Sequence, residues 1–209
     1  MTRTPVIVMG AGGHAKVCIE LLRASGKQVD FAIGADVDSG ECVGVPILAG
    51  DANLARLRSE GYTSVFIAVG SNSLREKLAG LATEQGYILV NAISPNATIS
   101  PTASVGSGVA IMAGAVINAD STIADLAIIN TGTTVDHDCR IGRAAHLAPQ
   151  CALAGNVLIG ERTFLGIGTK VIPNVIVESD SIVGAGSVVI SNIGRGVTAL
   201  GVPARSRLK

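Results

Sequence analysis

The sequence predicts a small parallel α/β domain with a Rossmann-like first turn, followed by a parallel β-helix of hexapeptide repeats, and three observations carry that reading. An aliphatic residue recurs every six positions from Ile93 to Val189 without insertion. An apolar run at 5–9 passes through Gly10-Ala11-Gly12-Gly13 into an amphipathic stretch. Aromatic residues make up 2% of the 209 residues and Trp is absent, so Val, Ile, Leu and Ala must fill the core, which suits thin repeated layers.

Residues 1–90 form the first domain. The run at 5–9 is a buried strand, the glycines at 10–13 a tight turn, and 14–24 a helix presenting Val17, Cys18, Leu21 and Leu22 on one face. Further strands are predicted at 29–33, 64–69 and 87–90, with helices at 52–59 and 73–85. Such alternation argues for a parallel sheet. Gly10, Gly12 and Ala15 satisfy the loose dinucleotide pattern, in which glycines admit a diphosphate to a helix N-terminus. A full dinucleotide fold needs two such halves, so about 90 residues fit a single nucleotide better, as in a nucleotide-sugar. Gly10, Gly12, Gly13 and His14 are therefore candidate ligand contacts, with helix capping an equal reading for His14.

Residues 91–209 form the second domain. Seventeen aliphatic residues stand at the six-residue spacing, and a small or β-branched residue lies two positions before sixteen of them. Period six over 97 residues is neither helical nor the alternation of an ordinary strand. It fits two inward-facing residues on a short strand, followed by a tight corner. Three such strands make a triangular coil, and just under six coils stack to roughly 27 Å. Gly106, Gly142, Gly160, Gly166 and Gly184 follow aliphatic positions, where a missing Cβ is useful.

Several classes are disfavoured by composition. Sixteen basic and sixteen acidic residues cancel, so no global field attracts nucleic acid or an anionic membrane. The mean hydropathy of +0.50 comes from periodic apolar residues rather than a membrane span. The N-terminus lacks the apolar stretch of a signal peptide, and a cytoplasmic location is expected. Cys18, Cys42, Cys139 and Cys151 have no zinc-site spacing and read as buried free thiols. With three histidines, one of them in the other domain, a three-histidine metal site of the γ-carbonic anhydrase kind is improbable and no metal is expected. No repeated Thr-x-Thr face suggests an ice-binding protein, and the half-sized nucleotide domain disfavours an NAD-dependent enzyme.

The aliphatic-Gly-x-x-small-x repeat resembles that of the hexapeptide-repeat acyltransferases. That resemblance implies a left-handed coil, a homotrimer with active sites between neighbouring prisms, and an acyl-CoA donor. The Gly201-Val202-Pro203-Ala204-Arg205 ending looks like the segment after the last coil in that family. The wording at 10–17, Gly-Ala-Gly-Gly-His-Ala-Lys-Val, resembles the first turn of the sialic-acid-type and bacillosamine-type sugar O- and N-acetyltransferases, which carry a nucleotide-sugar domain on the same coil. Within that subgroup, the segments at 111–114, 128–132 and 135–139 look closest to the GDP-perosamine N-acetyltransferases. The implied reaction is acetylation, by acetyl-CoA, of the 4-amino group of a nucleotide-linked 4-amino-4,6-dideoxysugar, in glycan or lipopolysaccharide synthesis. One departure stands out. The subgroup has an acidic pair or triad after the second strand, whereas Gly34-Ala35-Asp36 retains only Asp36 as a ribose or base contact.

Amide formation from a thioester needs a neutral amine and a group to accept its proton. His137 follows inward Val135 by two, which puts it on a corner between Asp136 and Asp138. A carboxylate beside an imidazole fixes its tautomer and raises its basicity. The resemblance makes His137 the base and Asp138 its partner. An orienting role for His137, with an already neutral amine, stays open. His146 precedes inward Leu147 and is expected on an outer face, with a contact to the thioester or pantetheine implied by the resemblance and a surface role the alternative. Gly155, Gly166, Ile167, Gly184 and Ala185 are candidate acetyl-CoA contacts, Lys170 and Arg205 candidate partners for its phosphates, and Asn130 a candidate sugar contact. A sugar O-acetyltransferase and a non-catalytic nucleotide-sugar-binding protein are the alternatives.

Overall fold

The computed structural model describes residues 5–34 and 40–207. The chain divides into two compact units, Met1–Pro95 and Asn96–Lys209.

The first unit is a six-stranded sheet with three helices. In chain order these are β1 (Pro5–Met9), α1 (Gly13–Ala24), β2 (Gln28–Gly34), β3 (Glu41–Cys42), β4 (Val45–Ala49), α2 (Asn53–Ser59), β5 (Ser64–Ile67), α3 (Asn72–Glu84) and β6 (Ile88–Leu89). The strand order is β3-β4-β2-β1-β5-β6, parallel except for the β3–β4 hairpin. The chain builds outward from β1 on the β2 side and then crosses to β5, so the order reverses beside β1. Ligands of open parallel sheets enter at such a reversal, at the carboxyl ends of the strands.

Two differences from the sequence reading have local causes. The β3–β4 hairpin was not predicted, because its strands are short, Pro46 interrupts the second, and the turn places Val43 at φ 53° and Gly44 at φ 68°. On α1 the buried stripe is Ala15, Cys18, Ile19, Leu21 and Leu22, while Val17 is exposed. Ala15, Cys18, Ile19 and Leu22 follow the i, i+3, i+4, i+7 spacing of one helix face, and Val17 falls off it.

The second unit is a three-sided parallel β-helix. Strands pair at a separation of eighteen residues, for example Ile111 with Ile129, Ile117 with Val135 and Ile123 with Ile141. Face one carries Ile128–Ile129 and His146–Leu147, face two Thr134–Val135 and Lys170–Val171, and face three Arg140–Ile141 and Ile176–Val177. Every aliphatic position from Ile111 to Val189 is at most 3% exposed. Each such side chain contributes about 1.5–3 kcal/mol by burial. Ile93, Ile99 and Val105, at the beginning of the series, are only half-buried. A closing strand, Thr198–Leu200, joins face one, and Arg205–Ser206 pairs with it antiparallel.

The corners explain the rest of the period. The third residue after each aliphatic position has φ between 53° and 71° at every corner from Gly108 to Gly186, Asp120, Asp138, Asn156 and Asp180 among them. Glycine, Asn and Asp tolerate this region; Leu126, Ala144, Gln150 and Arg162 bear a cost of about 1–2 kcal/mol each, outweighed by the stacked core. The glycines directly after the aliphatic positions serve a different need. A Cβ at Gly142 would lie 2.6 Å from the Glu161 amide nitrogen, one coil on. These glycines answer close packing, not a left-handed backbone.

All four cysteines are free and buried. Burial pushes the Cys18 thiol up to about 12 and Cys151 to about 11, so neither is a nucleophile at neutral pH.

Candidate active site

The three edges of the β-helix differ in chemistry. The edge between faces three and one is laced by ion pairs, Arg143 to Asp125 at 3.0 Å and Arg162 to Asp180 at 2.6 Å. That between faces one and two carries Asn130, Gly166, Ile167, Gly184 and Ala185. The edge between faces two and three carries Asp136, His137 and Asp138.

His137 sits just before Asp138, whose φ of 59° turns the corner. Its Nδ1–H donates to Asp138 Oδ2 at 2.7 Å, which leaves Nε2 as the free lone pair of the neutral ring. The Asp138 hydrogen bond, with the Asp136 charge added, raises the His137 pKa above its ordinary value. Asp136 Oδ1 accepts from the His137 backbone N–H at 2.8 Å and from Asn118 Nδ2 at 2.9 Å, and these bonds lower its own pKa. Underneath lies Gly155. A Cβ there would come within 2.5 Å of the His137 ring, so glycine at 155 is what lets the imidazole lie against the next coil. Both carboxylates and the ring are exposed or half-buried, so incoming groups have access.

His146 does point outward, yet it is only 9% exposed and packs edge-on against Phe164, with ring centroids 5.2 Å apart. It is not a surface side chain. Its Nε2 lies 3.2 Å from Asn130 Nδ2. Asn130 Oδ1 accepts from the Thr131 N–H at 2.8 Å, which fixes the direction of the amide. Nδ2 therefore faces His146 Nε2 and donates to it. Asn130 and His146 form one pair, an edge away from His137.

Gly166, Ile167, Gly184 and Ala185 line that same edge two and three coils after Asn130, where Ile167 is 53% exposed. Glycine at 166 is required by packing, since a Cβ would lie 2.5 Å from the Ala185 amide nitrogen. Lys170 lies on face two and donates from Nζ to the Gln150 carbonyl at 3.3 Å. Arg205 is exposed in the closing segment and donates to the Ala204 carbonyl at 3.2 Å.

In the first unit a cleft of about 720 Å³ opens at the strand carboxyl ends, lined by Gly10 to His14 and by the ends of β2, β4 and β5. The N-cap of α1 is Gly12, without a side-chain cap, so His14 is not a capping residue. Burial, and then the nearby Arg75 charge, lower its pKa to about 4. Gly10 has φ 119°, and a Cβ there would meet the Ala68 carbonyl at 2.5 Å. Asp36 lies outside the described residues. Among the described residues, no three His, Cys, Asp or Glu side chains gather to hold a metal ion.

Residues 5–80 match the PglD N-terminal domain model and 156–191 the bacterial transferase hexapeptide model of six repeats. A solved structure of a histidine-to-asparagine variant of perosamine N-acetyltransferase from Caulobacter crescentus, in complex with CoA and GDP-perosamine, is 51% identical. The match covers 98% of this chain and 97% of that one, with a TM-score of 0.96. This chain belongs to the hexapeptide-repeat nucleotide-sugar acetyltransferases. The acetyltransferase domain of PglB from Neisseria gonorrhoeae is 35% identical over 98% of this chain and all of that domain, with a TM-score of 0.93. A curated relative, GDP-perosamine N-acetyltransferase of Escherichia coli O157:H7, is 27% identical over 170 residues, which is 78% of this chain and 76% of the relative. The fold is accordingly the left-handed parallel β-helix of this acyltransferase family, preceded by a small α/β sheet.

Two further residues of this acetyltransferase were missed in the sequence. Asp51, at the carboxyl end of β4, lines the cleft. It follows the strand hidden by Pro46. Arg75 is 1% exposed and donates to the Val69 and Gly70 carbonyls at 3.0 and 3.1 Å and to Asn72 Oδ1 at 3.0 Å, tying the cleft loop to α3. Burial lowers its pKa to about 10, and it keeps its charge at neutral pH. The signal was readable: Arg75, Ala79 and Ala82 share one helix stripe, and an arginine in an apolar stripe is rare without a task.

Proposed function

We propose that this chain transfers the acetyl group of acetyl-CoA to the 4-amino group of a GDP-linked 4-amino-4,6-dideoxysugar of the perosamine type. The observation that carries the reading is the 51% identity, over nearly the whole of both chains, to an enzyme solved with CoA and GDP-perosamine bound. The α/β cleft supports it, with a glycine turn at a helix N-terminus suited to the diphosphate and Asp51 available to ligand donors.

In this mechanism the sugar amine attacks the thioester carbonyl. The N–C bond forms, His137 Nε2 takes the proton lost by the amine, and the C–S bond breaks as the CoA thiolate leaves and is protonated. Asp138 holds the imidazole with Nε2 outward and stabilises the imidazolium. The Asn130–His146 pair meets the acetyl and sugar end, and the small residues at 166, 167, 184 and 185 receive the pantetheine arm. Because His137 and those residues stand on different edges of one prism, a homotrimer sets the edge of one copy opposite that of the next and completes each site. We assign the reaction to the cytoplasm, in glycan or lipopolysaccharide assembly.

A thiol-release assay with acetyl-CoA and GDP-, UDP- and dTDP-linked 4-amino sugars tests the proposal. Turnover is expected with the GDP-linked sugar, with an N-acetyl product by mass. Silence on all three, or transfer to a hydroxyl, overturns it.

A further inference from the structure

The corner that carries His137 is gripped from inside the prism. Ser121 is fully buried, one coil earlier. Its hydroxyl donates to the Asp136 carbonyl at 2.7 Å and accepts from the Cys139 N–H at 3.1 Å. Asp136 and Cys139 are the residues on either side of His137-Asp138, so one hydroxyl ties both ends of the corner. We propose that Ser121 is a positioning residue for acetyl transfer, fixing the backbone on which His137 and Asp138 are aligned. This rests on His137 being the base.

The geometry explains why a brace matters here. The His137 and Asp138 side chains are each 59% exposed, and their 2.7 Å hydrogen bond joins adjacent residues. Its alignment depends on the corner backbone, including the left-handed conformation of Asp138. Outside the prism, Asp136 accepts from the His137 N–H; inside, Ser121 holds the Asp136 carbonyl. A hydroxyl in this position can be lost without touching any atom of the imidazole.

The coil also supplies a control. Thr163 makes the same grip at another edge of the prism, before the face-one strand Phe164–Leu165, donating to the Glu178 carbonyl at 2.8 Å and accepting from the Ser181 N–H at 3.4 Å. That corner holds no histidine. Thr133 likewise donates to the Ala148 carbonyl at 3.0 Å, and Cys139 to the Ala154 carbonyl at 3.2 Å. Threonine and cysteine thus fill the role of Ser121 elsewhere in the coil, and Ser121→Thr and Ser121→Cys are natural rescues.

The test measures kcat, KM and pH profiles for Ser121→Ala, Ser121→Thr, Ser121→Cys and Thr163→Ala in the full chain. Ser121→Ala is expected to lower kcat by about tenfold or more with KM for the nucleotide-sugar unchanged, as misalignment of a reacting group does. Its acidic limb should move to lower pH, because Asp136 and Asp138, the charged groups facing the imidazole, are no longer held against it. Ser121→Thr should restore both, and Thr163→Ala should lower the melting temperature while leaving kcat intact. Wild-type kcat and limb in Ser121→Ala, or the same kcat loss in Thr163→Ala, overturns the inference. If Ser121→Ala does not fold, Ser121→Val decides, since Val157 and Val175 fill the equivalent inward position two and three coils on in the same strand column without a hydroxyl: a lowered kcat that Ser121→Thr restores supports the role, and a wild-type kcat contradicts it. A fully active His137→Ala would instead remove the assignment beneath it, whereas an inactive His137→Ala beside an unaffected Ser121→Ala removes only the role of Ser121.

Discussion

The β-helix and the α/β unit solve the same problem, placing polar groups beside a fixed backbone, by opposite means. In the coil each residue meets the one eighteen positions away, as Val116 meets Thr134 and Thr134 meets Ala152, so one rule locates every neighbour. In the α/β unit the cleft is assembled from the ends of four strands by contacts that follow no period. The coil distributes its polar groups along edges that small residues keep open; the α/β unit concentrates them at one strand reversal, held by the buried Arg75.

The difference should appear as localised damage. Arg75→Met removes the buried guanidinium that donates to the Val69 and Gly70 carbonyls and is expected to cost about 3–5 kcal/mol and to abolish nucleotide binding. Ile141→Ala, in the coil, is expected to cost about 2–5 kcal/mol through its cavity. Denaturant unfolding gives the totals and hydrogen exchange their location. Protection should fall around β5 and α3 for Arg75→Met, and at Thr122–Ile123 and Leu158–Ile159, the coils on either side, for Ile141→Ala.

Acid sharpens the contrast. His14 falls from 6.5 when unfolded to about 4 when folded, so its burial leaves stability untouched above pH 6.5 and erodes it as pH drops toward 4. The unfolded chain takes up a proton that the folded chain refuses, a loss of about 3 kcal/mol across that window. His14→Gln should flatten this part of the stability-pH curve, measured by denaturant unfolding at pH 7, 5 and 4. An unchanged slope would show that another group carries it.

What the sequence revealed follows the same division. Period six fixed which residues point inward, and hence that His137 would stand on a corner between two acids. The His146 environment was not legible, because an outward position says nothing about Phe164 one coil above it or Asn130 beside the strand one coil below it. Gly155 reads in the sequence as an acetyl-CoA contact, whereas it lies under the His137 ring, a contact set by coil stacking. Ser121 looked like one more small inward residue, since its hydroxyl matters only through the corner it reaches fifteen positions later. In the α/β unit the β1–α1 turn was legible from its glycines, whereas Asp51 was lost with the β3–β4 hairpin, whose short strands and Pro46 leave no alternation to read.

The central claim is that nucleotide-sugar binding belongs to the α/β cleft and chemistry to the His137 corner. Titrating His137→Ala with GDP-perosamine by calorimetry, alongside thiol release from acetyl-CoA, separates the two most directly. Binding should match the unsubstituted chain while turnover falls by about 100-fold or more. Near-normal turnover, or a loss accounted for entirely by weaker sugar binding, would contradict it.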